Sequence, residues 1–238
     1  MVEPSARFEE MKIPLPDPVH GLEAVSAVLG IPRWWPTGSR VSVVLAHDRN
    51  ADLSEPLIED LHRELTERRY LCLRFNFPFA EAKKRQPDST LVLRRTLRAA
   101  VGALARDPTA APAHLFLGGK GLGAQIAAGV AAARVRVDGL FFLGFPLHPR
   151  GKPEDVQAEE LFRVVSPMLF VQGTRDRSCE LDVLQHTLTR VGAPTTLQVS
   201  QEADQHFKVL KKSARTQDEV RDELVGAVDG WIQKVLES

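Results

Sequence analysis

A glycine-rich turn, a carboxylate just beyond an apolar run and an imidazole further along are the residues whose spacing could do chemistry here. The turn reads Gly118-Gly119-Lys120-Gly121-Leu122-Gly123-Ala124, between an apolar run and an Ala-rich helical pattern. Glycines at such a place let the backbone turn sharply, and the following helix offers N–H groups and a positive dipole end to an anion. Two kinds of site use that physics. In G-x-S-x-G the central residue stands at the top of the turn as a nucleophile, beside oxyanion-binding amides. In G-x-G-x-x-G/A the glycines admit the pyrophosphate of a dinucleotide. Gly119–Ala124 fits the second pattern literally, and fits the first except that Gly121 stands where serine would.

Context separates the two. A dinucleotide domain normally opens with this turn, but two parallel-strand patterns precede it here, and the nearest acid, Asp138, stands at the start of the next strand rather than its end. Met168–Gly173 reads as a strand leading into Thr174-Arg175-Asp176, and after another strand comes Ala203-Asp204-Gln205-His206. In a nucleophile–Asp–His relay, Asp176 would hold the imidazole's tautomer and His206 would take the nucleophile's proton. The plain alternative is a turn that only packs a helix against a sheet. As surrogate nucleophiles, Ser42 lies within a strand and Ser54 on a loop. Cys72 reads as a small buried apolar residue. Cys179, at a helix start that would favour its thiolate, is a minor candidate.

These groups need elements to position them. Val41–Ala46, Tyr70–Phe75, His114–Leu117, Leu140–Leu143, Met168–Gln172 and Thr195–Val199 read as strands. Helical spacing predicts Glu55–Arg68, Thr90–Arg106, Leu122–Ala133, Asp155–Val164, Glu180–Val191 and Gln217–Leu236. Such alternation predicts a mostly parallel central sheet with helices on both faces. Phe8–Ile13 and Leu22–Leu29 would add an N-terminal antiparallel edge. With 238 residues and no linker, one domain spanning 1–238 is expected.

Composition narrows the partners. Thirty-one basic and thirty-one acidic residues cancel, so no global field draws the chain to nucleic acid or an anionic membrane. Lys83-Lys84-Arg85 and Lys208, Lys211, Lys212, Arg215 read as solvated faces, and Trp34-Trp35-Pro36 as edge packing. No apolar stretch approaches the ~20 residues of a membrane span, and no signal peptide is visible. Two cysteines make no disulfide framework, and the histidines lack metal-ligand spacing. A cytoplasmic protein without metal or cofactor is expected.

Several motifs together carry a closer resemblance: Arg74-Phe75-Asn76-Phe77-Pro78, Lys83-Lys84-Arg85-Gln86-Pro87-Asp88, Leu117-Gly118-Gly119-Lys120, Gly144-Phe145-Pro146-Leu147-His148-Pro149, Gly151-Lys152-Pro153 and Gln172-Gly173-Thr174-Arg175-Asp176. From about Val41 to Leu236 the chain resembles a small bacterial family of α/β-hydrolases related to dienelactone hydrolase. Eukaryotic relatives of that family include a testis-expressed protein and a subunit of a histone acetyltransferase complex. The resemblance implies an α/β-hydrolase fold without a large cap domain and an esterase-like site. In that site Asp176 matches the triad acid, His206 the triad histidine and Leu122 an oxyanion N–H, while Gly121 takes the nucleophile's position. The family's His-Gly loop corresponds to His47-Asp48-Arg49-Asn50, where Asp48, if it points inward, would set a carboxylate where negative charge develops. The expected function is therefore a non-catalytic or degenerate hydrolase that binds a ligand or a protein. The alternative is an active hydrolase of small acyl substrates using water or a surrogate nucleophile, or an engineered Ser-to-Gly form of one. The second departure, at Asp48–Asn50, argues against a single laboratory change.

Overall fold

The structure is a computed structural model and describes residues 6–33, 40–104 and 111–237. Trp34-Trp35-Pro36 and the last two residues of the helix expected at 90–106 lie outside the described residues. The chain forms two compact units, Met1–Gly118 and Gly119–Ser238.

The first unit opens with a hairpin of β1 (Arg7–Val19) and β2 (Leu22–Ile31). Its two-residue turn, His20-Gly21, has positive φ at both positions (55° and 77°), the twist a tight hairpin demands. β1 shifts register between Pro14 and Val19, where Pro14, Pro16 and Pro18 cannot donate to a ladder. β3 (Val41–Ala46) is buried throughout, and α1 (Pro56–Glu67) covers it with Ile58, Leu61 and Leu65 at helical spacing. β4 (Leu71–Phe75) is likewise buried, pairing antiparallel with β2 and parallel with β3. A single turn, α2 (Pro78–Glu81), and the longer α3 (Thr90–Leu104) follow, and β5 (His114–Lys120) leads out of the unit.

The second unit starts with α4 (Leu122–Ala132), which is apolar nearly all round and buried accordingly. Then come β6 (Gly139–Leu143), β7 (Met168–Gly173), α5 (Leu181–Leu188), β8 (Thr195–Ser200) and α6 (Gln217–Leu236). β6, β7 and β8 pair in parallel. The strand order is β1-β2-β4-β3-β5-β6-β7-β8. This is the expected mostly parallel sheet with an N-terminal antiparallel pair.

One expected helix is corrected. Residues 155–164 form turns and a short 3₁₀ piece, Leu161–Arg163. Ala158, Leu161 and Val164 are buried at a spacing of three, which suits 3₁₀ rather than α periodicity. Gln157 donates its N–H to Leu147 O at 2.8 Å, holding the segment against the preceding loop. The turn of α2 was missed because four residues carry no periodicity.

Candidate functional site

Strand β5 passes into α4 through one residue. Gly121 has φ 52° and ψ −115°, a conformation that strains any side-chain-bearing residue. Its N–H donates to Leu143 O at 3.2 Å, and its carbonyl accepts Ala124 N–H at 3.1 Å. The flanking glycines have a steric reason. A Cβ on Gly119 would stand 2.4 Å from Gly123 C and 2.5 Å from Ala124 N, so strand and helix meet backbone to backbone. That is the architecture that lifts a nucleophile to the top of a turn. Here the residue at the turn is glycine. Asp138 immediately precedes β6, at the end opposite to the one where a ribose-binding acid belongs.

Asp176 lies in the turn after β7, with its N–H on Gly173 O at 3.2 Å. The carboxylate is buried and held by its neighbours. Oδ1 accepts the Ser178 N–H at 2.8 Å and the Ser178 hydroxyl at 2.7 Å; Oδ2 accepts the Gln172 amide. Burial pushes its pKa above the usual carboxylate range, against those hydrogen bonds and the more distant Arg150 charge. Gln172, fully buried on β7, also accepts the Phe145 N–H at 3.1 Å. Sequence reasoning quoted Gln172 in a motif but gave it no role, and passed over Ser178, although an amide inside the apolar run Met168–Gly173 was a usable signal.

The loop bearing His206 is laid directly on the acid's loop. A Cβ on Gly173 would meet Ala203 O at 2.3 Å, and Arg175 N–H donates to Ala203 O at 2.9 Å. A Cβ on Gly144 would find Gln205 O at 2.9 Å and Asp176 Oδ2 at 3.8 Å, so both loops surround Gly144. Asp204 Oδ1 accepts the N–H groups of His206 (2.8 Å) and Lys208 (3.0 Å), shaping the turn. Buried Phe207, at φ 58°, anchors it, and its carbonyl accepts the Gln217 amide at 2.8 Å.

His206 itself is exposed, and its Nδ1 lies 3.4 Å from Nζ of the buried Lys120. An ammonium has donors only, so a hydrogen bond at this contact has Nδ1 as its acceptor. In a hydrolase triad the histidine presents Nδ1–H to the acid and a bare Nε2 to the nucleophile. Here the side chain at Nδ1 is that of Lys120.

In the first unit, His47 follows β3 with its ring committed to the fold. Nδ1–H donates to Asp48 O at 2.7 Å, and Nε2 accepts the Phe77 N–H at 3.1 Å. Burial lowers its pKa, keeping the ring neutral. Asp48 Oδ1 accepts the Arg49 N–H at 2.7 Å. Further along, Asn76 Oδ1 accepts the Leu53 N–H at 2.7 Å, and Arg74 donates to Leu53 O. This loop is pinned.

The other nucleophiles are accounted for. Ser42 donates to His114 O at 3.1 Å, and Ser54 donates to Asp52. Cys72 is buried with its thiol pushed up to about 12 by burial. Burial, with the Asp176 charge added, raises the Cys179 thiol, which corrects the expectation of a favoured thiolate. Among the described residues no group of three or more His, Cys, Asp or Glu could hold a metal ion, and no helix is long and apolar enough to cross a membrane.

The family model of an alpha/beta hydrolase domain matches residues 39–233. Among solved structures, an alpha-beta serine hydrolase homologue from Coxiella burnetii superposes with TM-score 0.69 at 19% identity, over 91% of this chain and 95% of that one. Dienelactone hydrolase from Anabaena variabilis gives TM-score 0.70 at 16% identity, over 95% and 98%. A lidless serine hydrolase from Xanthomonas campestris gives 0.66 at 20% identity, over 94% of each. Gly121, Asp176 and His206 lie within the matched segment, and this chain belongs to the α/β hydrolase domain family.

Proposed function

We propose that this chain is a degenerate α/β hydrolase that binds a small acyl compound without cleaving it. The observation that carries the reading is the pairing of His206 Nδ1 with Lys120 beside an apex, Gly121, that has no side chain. Covalent acyl transfer at the apex has no atom to start it. Water activation by His206 would need a bare Nε2, whereas a ring whose Nδ1 accepts from Lys120 would keep its proton on Nε2. What Nε2–H can do is donate to a carbonyl or carboxylate oxygen, and the exposed ring is accessible to one. We place the protein in the cytoplasm, which its two buried free cysteines, Cys72 and Cys179, suit.

The test is to incubate the chain with a panel of short acyl esters, following binding by ligand-observed NMR and conversion by mass spectrometry. The expected result is binding that weakens in His206→Ala, with the esters recovered intact. Release of acid that His206→Ala abolishes would establish the working hydrolase instead.

A further inference from the structure

The two outer strands of the sheet are β1 and β8, and they treat their open edges differently. β1 carries three prolines, Lys12, Glu9, Glu10 and a register shift, the features that keep an edge from pairing. β8 reads Thr-Thr-Leu-Gln-Val-Ser, with no charge, no proline and an unbroken register against β7 from Thr195 to Ser200. Nothing in its sequence guards it.

The direction of its free groups follows from two bonds. Met168 N–H donates to Pro194 O at 2.9 Å, and Thr174 N–H donates to Ser200 O at 3.1 Å. Even-numbered residues of β8 therefore turn their backbone toward β7, and Thr195, Leu197 and Val199 turn N–H and C=O outward. Their side chains share one face, where with Gln185, Leu188 and Thr189 they line an uncharged groove of about 420 Å³ beside α5. The other face is occupied at Gln198, which reaches Glu223 of α6 at 3.3 Å.

We propose that β8 pairs antiparallel with β8 of a second copy of this chain, about a two-fold axis at Leu197. That register places Leu197 opposite Leu197 of the second copy and Thr195 opposite Val199. Because all three residues point outward, each opposed pair exchanges both of its hydrogen bonds, and the edge is satisfied by its own sequence. Two properties favour a second copy over a foreign strand. The edge is self-complementary under this operation, and neither the strand nor its groove carries a charge to repel its twin. A single strand pair with its flanking groove makes a small interface of the weak, transient class, so the dimer is expected to dissociate between about 1 µM and about 1 mM.

Sedimentation equilibrium from about 1 µM to about 1 mM, a span bracketing that affinity, tests this on the full chain. Leu197→Lys and Leu197→Glu each set like charges opposite one another and should each weaken the dimer by about tenfold or more, while an equimolar mixture restores it. Melting curves check that both variants remain folded. Independently of any variant, the Leu197 and Val199 amides should gain hydrogen-exchange protection as concentration rises, whereas Gln198, bonded to β7, should be protected throughout. A monomer across the whole range, or a dimer that both charged variants leave intact, would overturn the proposal.

Discussion

At Gly121 the backbone keeps a geometry whose usual purpose is to present a side chain, yet the residue there has none. Gly121→Ser should fold, with a lower melting temperature reflecting a strain of about 1–3 kcal/mol at that φ and ψ. It should label poorly with a fluorophosphonate, because Lys120 still occupies His206 Nδ1. Replacing Lys120 by Met in the Gly121→Ser background should raise the labelling rate; mass spectrometry of both variants decides it. Gly119→Ala tests the turn separately. Its Cβ would stand 2.4 Å from backbone that cannot move without parting β5 from α4, so thermal unfolding should show a loss of about 1–3 kcal/mol or more. The sharp turn at Gly121 and the place of Asp176 just after β7 were legible in the sequence, because glycine spacing and strand ends mark them. The pairing of Lys120 with His206 was not, since it depends on which way two side chains turn.

Elements carry the pH dependence. On α1, His62 is buried against β2 and β4, with its Nε2 on Cys72 O at 3.1 Å. Burial, helped by the Arg74 charge, lowers its pKa from 6.5 to about 4. A histidine kept neutral in the fold is protonated more readily when unfolded, so its contribution is lost as pH falls from 6.5 toward about 4. His62→Gln, which keeps a donor without titrating, should flatten that part of a denaturant-stability profile. Glu81 on α2 acts lower. Burial pushes its pKa up, but hydrogen bonds from Asn76, Ser26 and Lys12 outweigh burial and bring it down to about 2. Its stabilisation is present above the usual 4.5 and disappears as pH falls from there toward about 2; Glu81→Gln should remove this step. Long periodic elements such as α1 and α6 were legible because a buried stripe recurs along them. Residues 155–164 were misread because Ala158, Leu161 and Val164 also satisfy a loose helical count.

Across the whole chain, the alternation of buried strands and helices made the fold legible, and the order of Gly121, Asp176 and His206 pointed to its family. What composition and spacing could not convey is how β8 ends the sheet uncharged while β1 ends it guarded, since that contrast depends on strand order. The proposed hydrolase scaffold without hydrolase chemistry stands on a glycine at position 121 and on Lys120 at His206 Nδ1. Intact-mass spectrometry of the unmodified chain after prolonged exposure to a fluorophosphonate tests it most directly. The mass should remain that of the unmodified protein, because no oxygen activated by His206 stands at the elbow. A stoichiometric adduct that His206→Ala abolishes would contradict it.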